Sequence, residues 1–310
     1  MEPAGGALGN ATVKNSVMEK NDGGAVYIQG ATGAIETSVL RDNGTTPHAP
    51  TISIGPYMGQ PGASATIRSS VVERSGSLGV LIHGADAVIE TTTVRDVTES
   101  AVSPREGFGV IAKSASTTTL AKLTMSSSLV ERVKQVGIGV IGTDATIDRT
   151  LVREVTPVGN TYAAFGVTFY EDPETLIVGT LGVTASVVEN VTTTGIVVQS
   201  APATIDSVRV SNMTGIDALY GDGVNVRSDL GPGSLTLTRS LVERSARAGL
   251  ASFGSSVTVS DTTFECNYIA IDGEFDFQFY DQGGNVCGCE QTVQTCKALT
   301  SMLEPPPAPQ

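Results

Sequence analysis

The chain has 310 residues and a formal charge of −13, with Lys+Arg 19 against Asp+Glu 32. That balance excludes the basic stripe a nucleic-acid partner demands, and leaves neutral polymers and cations open. No run reaches the ~18 apolar residues of a membrane span, and no signal peptide opens the chain.

A ten-residue block dominates the chain. Copies begin at residues 11, 33, 65, 87, 123, 145, 181, 203, 235 and 257, as in A-T-I-R-S-S-V-V-E-R (65–74) and L-T-L-T-R-S-L-V-E-R (235–244). The starts are 22, 32, 22, 36, 22, 36, 22, 32 and 22 residues apart, so short and long units alternate. Self-similarity at such a period marks a solenoid. No recognisable cap precedes the first block, so the sequence is expected to continue a longer chain whose N-terminal address lies outside it.

Block position 3 (Val13, Ile35, Ile67 and onward) and position 8 (Met18, Leu40, Val72 and onward) are apolar in every copy and are expected to point inward. Position 6 is Ser or Thr in nine copies, with Val208 the exception. Such β-branched, Thr-rich segments suit a pleated, half-buried surface. After a four-residue turn each short unit adds a further strand opened by Gly or Ala, as in Gly79-Val80-Leu81-Ile82 and Gly195-Ile196-Val197-Val198. The expected fold is all-β: a right-handed parallel β-helix of about ten coils, alternating short and long, forming a rod roughly 48 Å long.

Charge supplies an independent check. Position 9 runs Glu19, Arg41, Glu73, Arg95, Glu131, Arg153, and position 10 runs Lys20, Asp42, Arg74, Asp96, Arg132, Glu154. The signs alternate, in antiphase between the two columns. Stacking in register places Glu beside Arg at each step, whereas a slip by one coil sets like charges together. These groups are therefore read as exposed structural pairs worth about 0–1 kcal/mol each, and no catalytic residue is assigned among them.

Extra residues in the long units number 10, 14, 14 and 10, split before and after the later strand. They are expected to wall a trough along that strand's sheet, where binding residues concentrate. Strand alternation turns Tyr27, His83, Lys113, Tyr170, Gln199, Asn225 and Arg227 into its floor, and the loops add Tyr57, Tyr162 and Tyr220 as aromatics for stacking on sugar or for packing. His83 and Lys113 fall on neighbouring coils. No metal site or cofactor is expected, although calcium is kept in view through the loop carboxylates Glu171, Asp172 and Glu174, Asp217 with Asp222, and Asp272, Glu274 and Asp276. The Asn-x-Ser/Thr sites at Asn10, Asn43, Asn190 and Asn212 do not imply glycosylation, since two of them end the block itself.

All four cysteines, Cys266, Cys287, Cys289 and Cys296, lie near the C-terminus. Two disulfides in an oxidising compartment are the first reading, with a zinc site and free thiols as alternatives. The division expected is a β-helix over residues 1–286 and a cysteine-containing cap with a Pro-rich tail over 287–310, the tail an extended linker end.

With its ten blocks, paired-unit rhythm and G-G-N-V-C-G-C ending before a proline-rich tail, the chain resembles secreted parallel β-helix repeat proteins of myxobacteria, across nearly all of 11–300. The resemblance implies an extracellular or cell-surface location and a pectate-lyase-like fold. The polygalacturonase set N-T-D, D-D, G-H-G and R-I-K is absent, as is the lyase R-x-P-x-x-R. The expected function is therefore a non-catalytic scaffold binding glycan or another cell-surface macromolecule along the trough. The alternative is a polysaccharide lyase or hydrolase in the same trough, using Lys113, Arg227 or His83.

Overall fold

In a computed structural model, the described residues are 9–44, 48–57, 62–99, 107–159, 164–216, 219–290 and 292–306. They form three long sheets of 11, 12 and 10 strands and no helix. No helix is therefore long and apolar enough to cross a membrane. The first sheet runs from Asn10–Lys14 to Gln278–Asp281, and the second from Val17–Glu19 to Val286–Gly288 and Gln294–Thr295. The third runs from Val26–Gln29 to Ile269–Glu274.

Each sheet takes every third strand of the chain, so one turn of the rod is one visit to each sheet. Equivalent block positions stack in parallel: Ile35 lies opposite Ile67, Ile67 opposite Ile89, and Ile89 opposite Met125. Crossovers between parallel strands of twisted sheets take the right hand. The chain is a right-handed parallel β-helix, as the repeat implies. Positions 3 and 8 join third-sheet residues such as Ile54, Ile82, Val140 and Phe169 in one continuous apolar core.

The block is two strands rather than one. Its position 5 has left-handed backbone in every copy, from Asn15 (φ 50°) through Ser69 (47°) to Asp261 (49°). Such a conformation costs on the order of 1 kcal/mol outside glycine. The cost is offset because the corner is itself a rung: the Ser69 amide donates to Glu90 O at 3.1 Å and that of Arg149 to Thr184 O at 3.0 Å. Beside this corner the position-6 hydroxyls form a second ladder. Ser70 Oγ accepts from the Ser38 amide at 3.2 Å and donates to Arg68 O at 2.8 Å. The same pair of bonds recurs at Ser128, Ser186 and Ser240. Hydroxyls at position 6 thus satisfy buried corner amides, a reason more specific than strand propensity.

The alternating charges pair as register requires. Arg41 lies 2.6 Å from Glu19, Arg95 2.6 Å from Glu73, and Arg153 2.6 Å from Glu131. In the next column Arg74 meets Asp42 and Arg132 meets Asp96, both at 2.7 Å. One expectation needs correcting: Glu73, Glu131 and Glu243 are buried, not exposed. Position 10 is also left-handed in every copy (Arg132, φ 50°), and the Arg132 side chain reaches the carboxylate of its own neighbour, Glu131, at 2.5 Å. Each buried glutamate therefore sits under two guanidiniums.

At the far end Val286–Gly288 continues the second sheet, and Gln294–Thr295 adds to it antiparallel. Two disulfides close this end, Cys266–Cys289 and Cys287–Cys296.

Candidate functional site

The third sheet carries the outward residues that the sequence assigns to a floor. Among the described residues, the extra segments 114–121 and 171–180 of two long units follow the strands Phe108–Lys113 and Phe165–Tyr170. The strands stack evenly because a glycine opens most of them. A Cβ on Gly109, Gly137 or Gly166 would sit 2.5 Å from the carbonyl oxygen of the next glycine, closer than any side chain can approach.

Two outward columns form the floor. The middle one runs from Tyr27 and Ser53 past Ile111 and Thr168 to Asn225, Ala251 and Asp272. The outer one runs from His83 and Lys113 past Tyr170 to Gln199, Arg227, Phe253 and Glu274.

The sequence-derived residues divide between these columns. Tyr27 and Tyr57 are exposed at 52% and 50%, with the Tyr27 hydroxyl accepting from the Gly24 amide at 2.9 Å. His83 lies opposite Lys113 on neighbouring strands. Burial holds the His83 imidazole below its ordinary pKa, Lys113 adds to the effect, and Asp172 opposes it. Lys113 Nζ lies 3.1 Å from Glu174 and 3.7 Å from Asp172. Burial raises the Asp172 carboxyl, but hydrogen bonds from Thr175 Oγ1 (2.7 Å) and the Glu174 amide (3.1 Å), with Lys113, hold it below the usual range. Tyr170 is half-buried, and its phenol is pushed up to about 12, by burial first and then by Asp172. These groups form a polar knot at mid-trough.

The rest are covered. Gln199, Asn225, Arg227 and Tyr220 are all buried. Tyr220 packs with Val136, Phe165 and Val197. Tyr162, like Asp217, lies outside the described residues. Arg227 lies beneath the segment up to Pro306, which is docked on the rod rather than extended away from it.

Arg247 escaped the sequence reading. Its guanidinium grips Asp222 through Nε at 2.8 Å and Nη2 at 2.6 Å, while Asn225 donates to the same carboxylate at 2.8 Å. Asp222 is thus fully engaged by protein donors. The signal available was faint: Gly221-Asp222-Gly223-Val224-Asn225-Val226-Arg227 is the most polar of the third-sheet strands, and Arg247 replaces a turn residue one coil on. Among the described residues no group of three or more His, Cys, Asp or Glu side chains is placed to hold a metal ion.

No protein-family profile matches the chain, and no curated protein sequence does. Solved structures do. The periplasmic alginate epimerase AlgG superposes with TM-score 0.55 at 13% identity, over 81% of this chain and 60% of that one. Pectate lyase Pel9A gives 0.50 at 11%, over 82% and 69%. The catalytic unit of a GH87 α-1,3-glucanase from Streptomyces thermodiastaticus gives 0.50 at 12%, over 88% and 62%. The chain therefore spans about 60% of the epimerase's length. At these identities the likeness is one of fold alone, the right-handed parallel β-helix.

Proposed function

We propose that the chain binds a polysaccharide along the third-sheet trough, as a secreted or cell-surface protein. The observation that carries this is the outward face from Tyr27 to Tyr170, with the half-exposed Tyr27 ring on it, the half-exposed Tyr57 ring beside it, and His83 and Lys113 on neighbouring strands. Exposed aromatic rings offer faces for sugar stacking, and the imidazole and ammonium offer donors to hydroxyl oxygens. Two further facts support it. The three superposable structures are, by name, proteins acting on alginate, pectate and α-1,3-glucan, and the paired cysteines fit an oxidising compartment.

Affinity electrophoresis in gels containing neutral and acidic polysaccharides tests the reading. The chain should be retarded by at least one glycan, and Tyr27→Ala with Tyr57→Ala should weaken binding about tenfold. Unaltered mobility in every gel would sink it.

One observation favours a second reading, a lyase or hydrolase. The His83 imidazole is held below its ordinary pKa beside Lys113, which favours the neutral form a general base needs. Unsaturated product or new reducing ends that vanish in His83→Ala would establish it. Retardation without cleavage would establish the binding protein instead.

A further inference from the structure

The C-terminal segment folds back into the trough. The Leu299 amide donates to Ile271 O at 3.0 Å, and Leu299 O accepts from the Gly273 amide at 2.8 Å, adding one rung to the third sheet. From Ser301 the chain reverses along the outward face. The amides of Ser301 and Leu303 donate to Glu274 Oε1 at 2.8 and 3.1 Å. Arg247 Nη1 then donates to Glu304 O at 2.9 Å, and Arg227 Nη1 to Pro306 O. Leu303 packs on Ala248, Ala251 and Phe253. The contacts climb three coils, and each of these bonds from Ser301 onward is to the segment's main chain.

Beneath it the fit is incomplete. Asp272 is wholly buried, and neither carboxylate oxygen has a well-formed hydrogen bond, with Ser301 the one donor residue beside it. Asn225 Oδ1, two residues before Arg227 on the same strand, is equally buried and equally bare. A buried acceptor without a donor destabilises the fold, because it has given up its bonds to water and gained none in return. In the covering segment the Ser301 and Leu303 amides serve Glu274, and Pro305 and Pro306 carry no N–H, which leaves the Ser301 hydroxyl as the donor beside Asp272. Asn225 and Asp272 share one column with Ala251 between them, so they are roughly 10 Å apart, two strand spacings. Only a methyl group rises between them.

We propose that this covered stretch is a subsite for a neutral, hydroxyl-rich glycan, and that residues 301–306 are its displaceable cover. The proposal rests on the polysaccharide-binding reading and adds the ligand class and its control. Sugar hydroxyls are donors, which Asp272 and Asn225 lack. Arg227 and Arg247, released from the cover's carbonyls, would donate to sugar oxygens, and the Phe253 ring would face them once Leu303 leaves. A polyuronate is disfavoured, because Asp222, Asp272 and Glu274 stand in the subsite of a chain already at −13.

Two measurements on the full-length chain test it, with laminarin, dextran and galactomannan as neutral probes and polygalacturonate as the acidic one. Leu303→Asp replaces the cover's apolar anchor with a charge beside Glu274. If the covered state limits access, the variant should bind a neutral probe roughly tenfold more tightly, with no gain for polygalacturonate. In the unaltered chain, the same probe should remove the hydrogen-exchange protection of the Ser301 and Leu303 amides. Equal affinity of variant and parent, an equal gain for polygalacturonate, or amides still protected at saturating glycan would each overturn the cover and leave trough binding standing. Failure of both proteins to bind any probe would take down both readings.

Discussion

Asp272 and Glu131 are both buried carboxylates, and the residues around them decide opposite outcomes. Burial acts to raise the pKa of each. For Glu131, hydrogen bonds from Arg153 and Arg132 outweigh burial and leave the group lowered. For Asp272, the charges of Glu274 and Asp222 add to burial, only Ser301 opposes, and the group is raised. A carboxyl whose folded pKa lies above its unfolded value opposes folding while ionised, and is relieved as pH falls through the folded value. Asp272→Asn should therefore raise the melting temperature at pH 7, a gain on the order of 1 kcal/mol, and the gain should shrink towards pH 4. Thermal melts at both pH values check it, and a variant that melts lower at pH 7 defeats it. A side chain that destabilises the fold where it stands fits a ligand-binding role.

Elements here are defined by their corners as much as by their strands. The glycine that opens most third-sheet strands was readable as a bend residue, since it recurs at one offset in every short unit after the first. Its severity came only with the neighbouring coil. A Cβ on Gly137 would meet Gly166 O at 2.5 Å and Val152 Cγ1 at 2.6 Å, both fixed by the stack. Gly137→Ala should cost about 1–3 kcal/mol, while Gly182→Ala, with nothing within 4 Å of the added carbon, should be close to neutral. Urea denaturation of the pair decides the matter, and equal midpoints would contradict it. The corners at positions 5 and 10 were harder to read. Their residues (Asn15, Thr37, Ser69, Arg149, Ala185) share no left-handed preference, and register with the next coil imposes the conformation instead. The asparagines that do occur at position 10, Asn190 and Asn212, suit it intrinsically.

Across the whole molecule the core is one apolar column, closed at one end by two disulfides, with carboxylates distributed along its length. Glu36, Asp42, Glu73, Asp96, Glu131, Asp172 and Asp206 are all lowered, against Asp272 raised. A lowered carboxyl contributes stability that is present above its unfolded pKa and is lost as pH falls through the folded one. Thermal stability should therefore hold from about pH 7 to pH 5 and drop below about pH 4.5, by less in high salt, which screens the exposed pairs. Melting temperatures that hold steady down to pH 3 would refute the assignment.

The coil, its register, its inward columns and its pairing charges were legible in the chain alone, because a solenoid repeats every contact at a fixed offset and one block carries the instruction for its neighbours. The outward columns on the open half of the third sheet followed from the same periodicity through strand alternation. Its closed half did not. Arg247 meets Glu304 across 57 residues, and Arg227 meets Pro306 across 79, contacts made once and tied to no repeat. A proline-rich segment without a periodic pattern does not reveal in sequence where it docks. Tertiary structure alone decided that Arg227 and Arg247 lie beneath it, because that placement depends on backbone groups meeting side chains that only the completed rod brings together.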